Sequence, residues 1–293
     1  MITVSMDTWR THLSLSVRDN DRPGLQHNLH RLLTTEVARL DALASRFRED
    51  SELSAVNRGA GEWVDVSWRF VTVLTACLDA ARATGGLVDP TLGQAIKAAG
   101  YDHWARQNTQ TDPRRHRGAW RQVGIRPVPS GAQVLIPAGT ALDLGSVAKG
   151  WLADRLATTV RRAGHDVMAN MGGDIRVMAS QPWTVWSDPE LPGVTASPAD
   201  LTDAAIATSG IGHRHWEGGH HIIDPRTGAP AVTPWHSVSV VAATAAQANA
   251  AATAAVILAD DAPTWLDRQG LDARLVSRTH ITSTGRWPSE VAA

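Results

Sequence analysis

Apolar residues recur at two spacings along this chain, and the switches between them predict a mixture of strands and helices. Residues 11–17 alternate, with Leu13, Leu15 and Val17 on one face, which predicts a strand. Residues 25–47 place Leu29, Leu32, Leu33, Val37, Leu40, Leu43 and Ala44 at helical spacing over about six turns. A second helical pattern covers 68–83 and stops at Thr84-Gly85-Gly86. Residues 106–117 are polar and basic, as in a solvated loop. Short strands are predicted at 133–136 and 141–144, then a helix over 146–162 closed by Ala163-Gly164. The run 167–178 passes through a glycine pair, 183–186 reads as a strand, and 189–200 as a Pro-rich connection. Residues 236–242 alternate and are Val-rich, 245–258 is an alanine-rich helix former, and 271–276 is one more strand. There is no regular βαβ beat and no internal repeat. The pattern predicts an α+β fold with mixed sheets and helices, and residues 1–293 as a single domain.

Composition narrows the function classes. A hydrophobic content of 43% over 293 residues is ordinary for a globular chain with a sizeable core. Lys+Arg number 28 and Asp+Glu 29, a balance that argues against nucleic acid as a partner. The lone Cys77 sits in the apolar run 71–83, where it reads as a small buried hydrophobe. The start of the chain lacks the basic and apolar regions of a signal peptide, and no lipidation cysteine follows. The longest apolar stretch, 238–258, is mostly alanine and holds Gln247 and Asn249, which is poor membrane-spanning material. These features predict a cytoplasmic protein with no membrane segment, and self-association stays open. Twelve Trp against one Tyr and two Phe is an unusual ratio, and most of the indoles read as half-buried anchors.

Five segments carry residues suited to chemistry. In Leu142-Asp143-Leu144-Gly145-Ser146-Val147-Ala148-Lys149-Gly150 a strand ends, a glycine turns and a helix begins, with Lys149 in its first turn. Such a start suits a phosphate, and a plain helix cap fits it as well. Asn170-Met171-Gly172-Gly173-Asp174 allows close approach of backbone or ligand, or a simple bulge. Ala207-Thr208-Ser209-Gly210 precedes four histidines within nine residues, His213, His215, His220 and His221, which invite a metal reading or a polar-turn reading. His221 leads into Ile222-Ile223-Asp224-Pro225-Arg226-Thr227-Gly228, a tight turn in which Asp224 is either a functional carboxylate or an Asx-type stabiliser. Asn249 and Thr253 share one face of the alanine-rich helix and offer oxygens to a hard cation, or pack as satisfied polar groups. Gly86-Leu87-Val88-Asp89-Pro90-Thr91-Leu92-Gly93 is another Asp-Pro turn.

The order of these segments is more specific than any one of them. DLGSVAKGWLAD, NMGGDI, TSG, HHIIDPRTG and the Asn249–Thr253 pair, with MDTW at the start, DSELSAVN and DPTLG, resemble the ApbE family of FAD-dependent flavin transferases across residues 6–258. The resemblance implies an FAD cleft between two interlocked subdomains, and transfer of the FMN half of FAD to a Ser or Thr of an acceptor protein with release of AMP. It implies Mg²⁺ on the pyrophosphate, held by the Ala148 carbonyl, Asn249 and Thr253. Met6, Asn57, Val88, Asp89, Thr91, Lys149, Asp154, Gly172, Gly173, Ser209, His221, Ile222, Asp224 and Thr227 match the positions that face FAD. His221, Asn249 and Lys149 fall at the catalytic positions, with His221 suited to acid–base work near neutral pH.

Three positions depart from the family pattern. Asn249 stands where the family usually has an Asp, and a neutral amide oxygen is a weaker Mg²⁺ ligand than a carboxylate and no base. Three consequences are open: weaker metal binding with turnover retained, compensation by another carboxylate such as Asp224, or FAD binding without transfer. Gln94-Ala95 replaces the usual Pro-Leu, and Asp7 replaces the Gly of the M-G-T motif. A metal-dependent FAD pyrophosphatase, and more remotely a multi-His metallohydrolase, are the competing enzymatic readings.

Overall fold

The computed structural model of the chain describes residues 1–18, 23–99, 118–212, 215–216 and 219–287. The basic loop expected at 106–117, Trp104 and His213 lie outside these residues, as does the side chain of His215. Two compact units form, each from separated stretches of chain. The first comprises Met1–Ala38, Lys149–Gly210 and Thr233–Ala293; the second comprises Arg39–Ala148 and Ile211–Val232. Among the described residues no helix is long and apolar enough to cross a membrane.

The first unit is built on an eight-stranded sheet in the order Ile2–Thr8, Thr11–Val17, Val167–Met171, Ile175–Ser187, Ser197–Gly210, Trp235–Ala242, Asp272–Ser277 and Ile281–Thr284. Every neighbouring pair is antiparallel. The alternation at 11–17 and 236–242 is therefore realised in strands. The expected strand at 183–186 is part of a much longer one, and the Pro-rich stretch 189–200 already enters its partner at Ser197. Val177, Ala179, Trp183, Val185, Leu201, Ile206 and Trp287 form an apolar cluster, and Ser197 Oγ satisfies the Trp287 indole N–H at 3.1 Å.

The alanine-rich helix Ala245–Leu258 packs on the strands Ser197–Gly210 and Trp235–Ala242. Its small side chains permit close approach, so its buried residues run nearly all round the helix, including Asn249. The helix Ala148–Arg162 meets its N-terminus. A Cβ on Gly150 would lie 2.8 Å from the Ala245 carbonyl carbon and oxygen and from the Ala246 nitrogen, so only glycine fits there. One turn further on, Asp154 accepts hydrogen bonds from Ala245 N–H at 2.8 Å and Ala246 N–H at 3.1 Å. It caps two of the free N–H groups of that helix, while the local cap Thr244 takes Gln247 N–H at 3.2 Å. Burial pushes the Asp154 carboxyl above the usual range, opposed by these N–H groups and by Arg176.

The second unit carries a three-stranded sheet, Val64–Val66, Gly131–Leu135 and Gly124–Val128, with the Gly131–Leu135 strand in the middle. The helix Trp68–Ala83 follows the sequence pattern; Ser67 caps it through Phe70 N–H, and Cys77 is buried in it. Burial raises the Cys77 thiol pKa and keeps it protonated. Residues 141–144 do not form the expected strand: a single parallel bridge joins Leu92 to Ala141. Two short ribbons, 215–216 with 219–220 and 223–224 with 229–230, carry the histidine-rich region. There His220 Nε2 lies 2.9 Å from the Ala231 carbonyl, and its Nδ1 accepts Ile222 N–H at 3.3 Å. That pair of partners fixes the neutral Nε2–H tautomer.

Two outcomes test these contacts. Asp154→Ala strands two helix N–H groups and should cost about 1–2 kcal/mol, lowering Tm by about 2–4 °C by calorimetry, with Asp154→Asn losing less. Burial lowers the His220 pKa below its ordinary 6.5. The folded chain then takes up this proton less readily than the unfolded one. The stability is full above pH 6.5 and is lost as pH falls through the lower folded value. An NMR titration should place the His220 midpoint below 6.5, and a midpoint at or above it contradicts the assignment.

Candidate functional site

In the first unit, five polar side chains from four separate segments form one continuous run of contacts. Lys149 lies in the first turn of the helix Ala148–Arg162 and extends its ammonium group to Asp174 Oδ2 at 3.3 Å and to the Gly172 carbonyl at 3.4 Å. Asp174 Oδ1 accepts the Asn249 amide N–H at 2.6 Å. The Asn249 Oδ1 accepts Thr253 Oγ1–H at 3.5 Å, and Thr253 Oγ1 is 2.9 Å from Ser209 Oγ at the end of the strand Ser197–Gly210. Of the residues expected to face the phosphates and metal, the structure brings Lys149, Ser209, Asn249 and Thr253 together.

Local conformation explains why Asp174 stands there. The strands Val167–Met171 and Ile175–Ser187 are joined through Gly172 and Gly173, with φ of 71° and 92°. A Cβ on Gly172 would come within 2.5 Å of Thr11 Oγ1, so the turn needs glycine for conformation and for space. Asn170 Oδ1 holds Gly173 N–H at 2.9 Å, and Met171 N–H bonds the Asp174 carbonyl at 2.9 Å. The turn delivers an Asp174 side chain that is only 3% exposed. Its Oδ2 accepts no hydrogen bond and faces only the ion-pair contact with Lys149.

The chemistry of the amide settles its orientation. A carboxylate only accepts, so Asn249 must turn its NH₂ to Asp174 and its oxygen toward Thr253. Asn249 Oδ1, Thr253 Oγ1 and Asp174 Oδ2 are all oxygen donors of the kind a hard cation takes. The residues present therefore fit a Mg²⁺. Asp174 was not among the expected site residues, although it lies in the NMGGDI motif directly after the glycine pair.

The second unit holds the two Asp-Pro turns, and they are built alike. Asp89 Oδ1 accepts Thr91 N–H at 2.8 Å and Thr91 Oγ1–H at 2.5 Å. Asp224 Oδ1 accepts Arg226 N–H at 2.8 Å, and the Arg226 guanidinium grips both Asp224 oxygens at 2.8–3.1 Å. Both are Asx turns with proline at the middle position. Gly228 N–H and Thr227 N–H close the second turn on the Asp224 carbonyl at 2.7 and 3.1 Å. Leu92, Ala95 and Ile223 pack into one apolar cluster that links the two turns, and Val88 and Ile222, one and two residues before their acids, are buried. Ala95, where the family pattern has Leu, is part of that cluster. Burial raises the Asp89 pKa, opposed by its bonds to Thr91. His221 is half-buried next to His220.

Asn57 ties down the segment that starts the lysine helix. Its amide donates to the Leu142 carbonyl at 3.0 Å and accepts Leu142 N–H at 2.7 Å, as a neighbouring strand would. Asp143 Oδ1 takes Gly145 N–H at 2.8 Å, Asp143 N–H bonds the Pro90 carbonyl at 2.8 Å, and Arg46 pairs with Asp143 Oδ2 at 3.3 Å. Ala148 is the first helical residue after this turn, and its N–H bonds the Leu144 carbonyl at 2.9 Å. In the first unit Met6 is half-buried opposite Leu13 in the edge hairpin, and the neighbouring Asp7 pairs with His12 at 2.8 Å on the exposed surface.

Known proteins share this architecture and sequence. Residues 6–275 match the model of the ApbE family. A FAD:protein FMN transferase of Treponema pallidum is 34% identical over 271 residues, covering 80% of this chain and 73% of its own length. One from Haemophilus influenzae is 27% identical over 264 residues, covering 82% and 75%. Among solved structures, the flavin transferase ApbE from Vibrio cholerae superposes with a TM-score of 0.80 at 24% identity, over 98% of this chain and 97% of that one. The apo flavinyl transferase ApbE of Pseudomonas stutzeri gives 0.82 at 20% identity, over 96% and 94%, which speaks for the fold. With a family match running through both units and every motif of the Lys149–Ser209 contact run, this chain belongs to the ApbE family.

Proposed function

We propose that this protein is an FAD:protein FMN transferase that moves the FMN half of FAD onto a Ser or Thr hydroxyl of an acceptor protein and releases AMP. The observation that carries the reading is the partly buried run from Lys149 through Asp174, Asn249 and Thr253 to Ser209, in a chain whose relatives bear that activity in their names. In the reaction the acceptor oxygen bonds to the FMN-side phosphorus, the bond from that phosphorus to the bridging oxygen breaks, and AMP departs with that oxygen. The hydroxyl proton passes to a base, and His221 is the residue of this chain suited to take it. Lys149 places a full positive charge where negative charge grows on the phosphoryl oxygens. Asn249 and Thr253, with the Ala148 carbonyl that the family resemblance adds, are the residues to hold Mg²⁺, which when bound supplies further charge neutralisation on the pyrophosphate.

Incubation with FAD and Mg²⁺, with and without an acceptor peptide, tests the reading. AMP release with flavin attached to the peptide is the expected result. Free FMN would instead indicate a pyrophosphatase, and bound FAD without products a binding protein. His221→Ala should lower the transfer rate by about 10²–10⁴-fold, and an unchanged rate removes His221 from the mechanism.

A further inference from the structure

We infer that Asp174 supplies the anionic oxygen for the divalent cation in this chain, taking over the charge that Asn249 lacks. The inference rests on the transferase reading only for the presence of a metal. The site needs an anion: Asn249 Oδ1 and Thr253 Oγ1 are neutral, and Mg²⁺ is commonly held by one or two carboxylates. Asp174 is the carboxylate in direct contact with the Asn249 amide, at 2.6 Å. Its other oxygen is buried without a hydrogen bond, which is costly unless a cation uses it. Lys149, 3.3 Å away, provides such a charge in the structure as it stands.

A neutral residue at position 249 suits the same contact. An Asp there would set a second carboxylate oxygen against Asp174 Oδ1, at the place of the present N–H···O bond. Two like charges so close cannot both stay ionised without a cation between them. Asn249 removes that repulsion and orients its own oxygen toward Thr253. In this chain the carboxylate therefore lies one hydrogen bond away from Asn249, on the hairpin residue Asp174.

The Asp224 alternative has weaker support. Both Asp224 oxygens are bound by the Arg226 guanidinium, and one also holds the backbone of its own turn. Nothing at that carboxylate is left unsatisfied.

The test is a charge-swap series read by Mn²⁺ binding, followed by EPR of free Mn²⁺ on the full-length chain, with and without FAD. Asp174→Asn keeps an oxygen to accept the Asn249 N–H, so it removes charge and leaves the hydrogen bond. It should weaken Mn²⁺ binding at least about tenfold. Adding Asn249→Asp to it restores one carboxylate across the same bond, with donor and acceptor exchanged, and should recover most of the affinity. Asn249→Asp alone should lower the metal-free Tm and show a larger Mn²⁺-induced rise than the parent. Unchanged Mn²⁺ affinity in Asp174→Asn overturns the inference. So does a loss of metal-free Tm in Asp174→Asn with no recovery of Mn²⁺ binding in the double variant, the pattern of a purely structural residue. Failure of the transferase reading is a separate outcome: a parent chain that binds Mn²⁺ in the expected order yet yields neither AMP nor attached flavin.

Discussion

The contact between the Asp174 carboxylate and the Asn249 amide is the constraint around which the first unit is organised. It brings a hairpin turn and the middle of a helix together, 75 residues apart in sequence. For the amide to arrive, the alanine-rich helix must lie close on the sheet, which its small side chains allow, and its N-terminus must be fixed. Gly150 and Asp154, four residues apart on one face of the lysine helix, fix that end, one by having no side chain and the other by capping. The same helix carries Lys149, so the residues that set the position of the alanine-rich helix also bring the ammonium group to Asp174. A buried ion pair of this kind gives little net stability once desolvation is counted. Its value here lies in holding an anion and a cation ready in a polar run that ends in hydroxyls.

The second unit follows a different plan, in which backbone shape matters more than buried charge. Its two Asx turns use an acid, a proline and the N–H two residues on, and a small apolar cluster joins them. His220 spends both ring nitrogens on backbone groups, which stiffens the segment from which His221, Asp224 and Thr227 project. The histidine-rich stretch, suggestive of a metal from spacing alone, thus includes at least one imidazole with a structural role.

Elements with one strong local period were legible in the sequence. The helices at 68–83 and 245–258, the strands at 11–17 and 236–242 and the Asx turns follow from neighbours in the chain. What escaped depends on partners far away. Residues 141–144 look like a strand, but the Asn57 amide takes the place of a neighbouring strand at Leu142. The family motifs made Lys149, Ser209, Asn249 and Thr253 legible. Asp174 and the capping role of Asp154 were not, because an acidic residue acquires such a role only from the buried group it meets.

The proposed role of Asp174 as the anionic metal ligand has a direct structural readout. Anomalous diffraction from crystals soaked in Mn²⁺ tests it most directly. A single strong peak is expected, with Asp174 Oδ2, Asn249 Oδ1 and Thr253 Oγ1 among its inner-shell oxygens and Lys149 moved off the carboxylate. A peak coordinated without Asp174, with the Lys149–Asp174 pair intact, would contradict it.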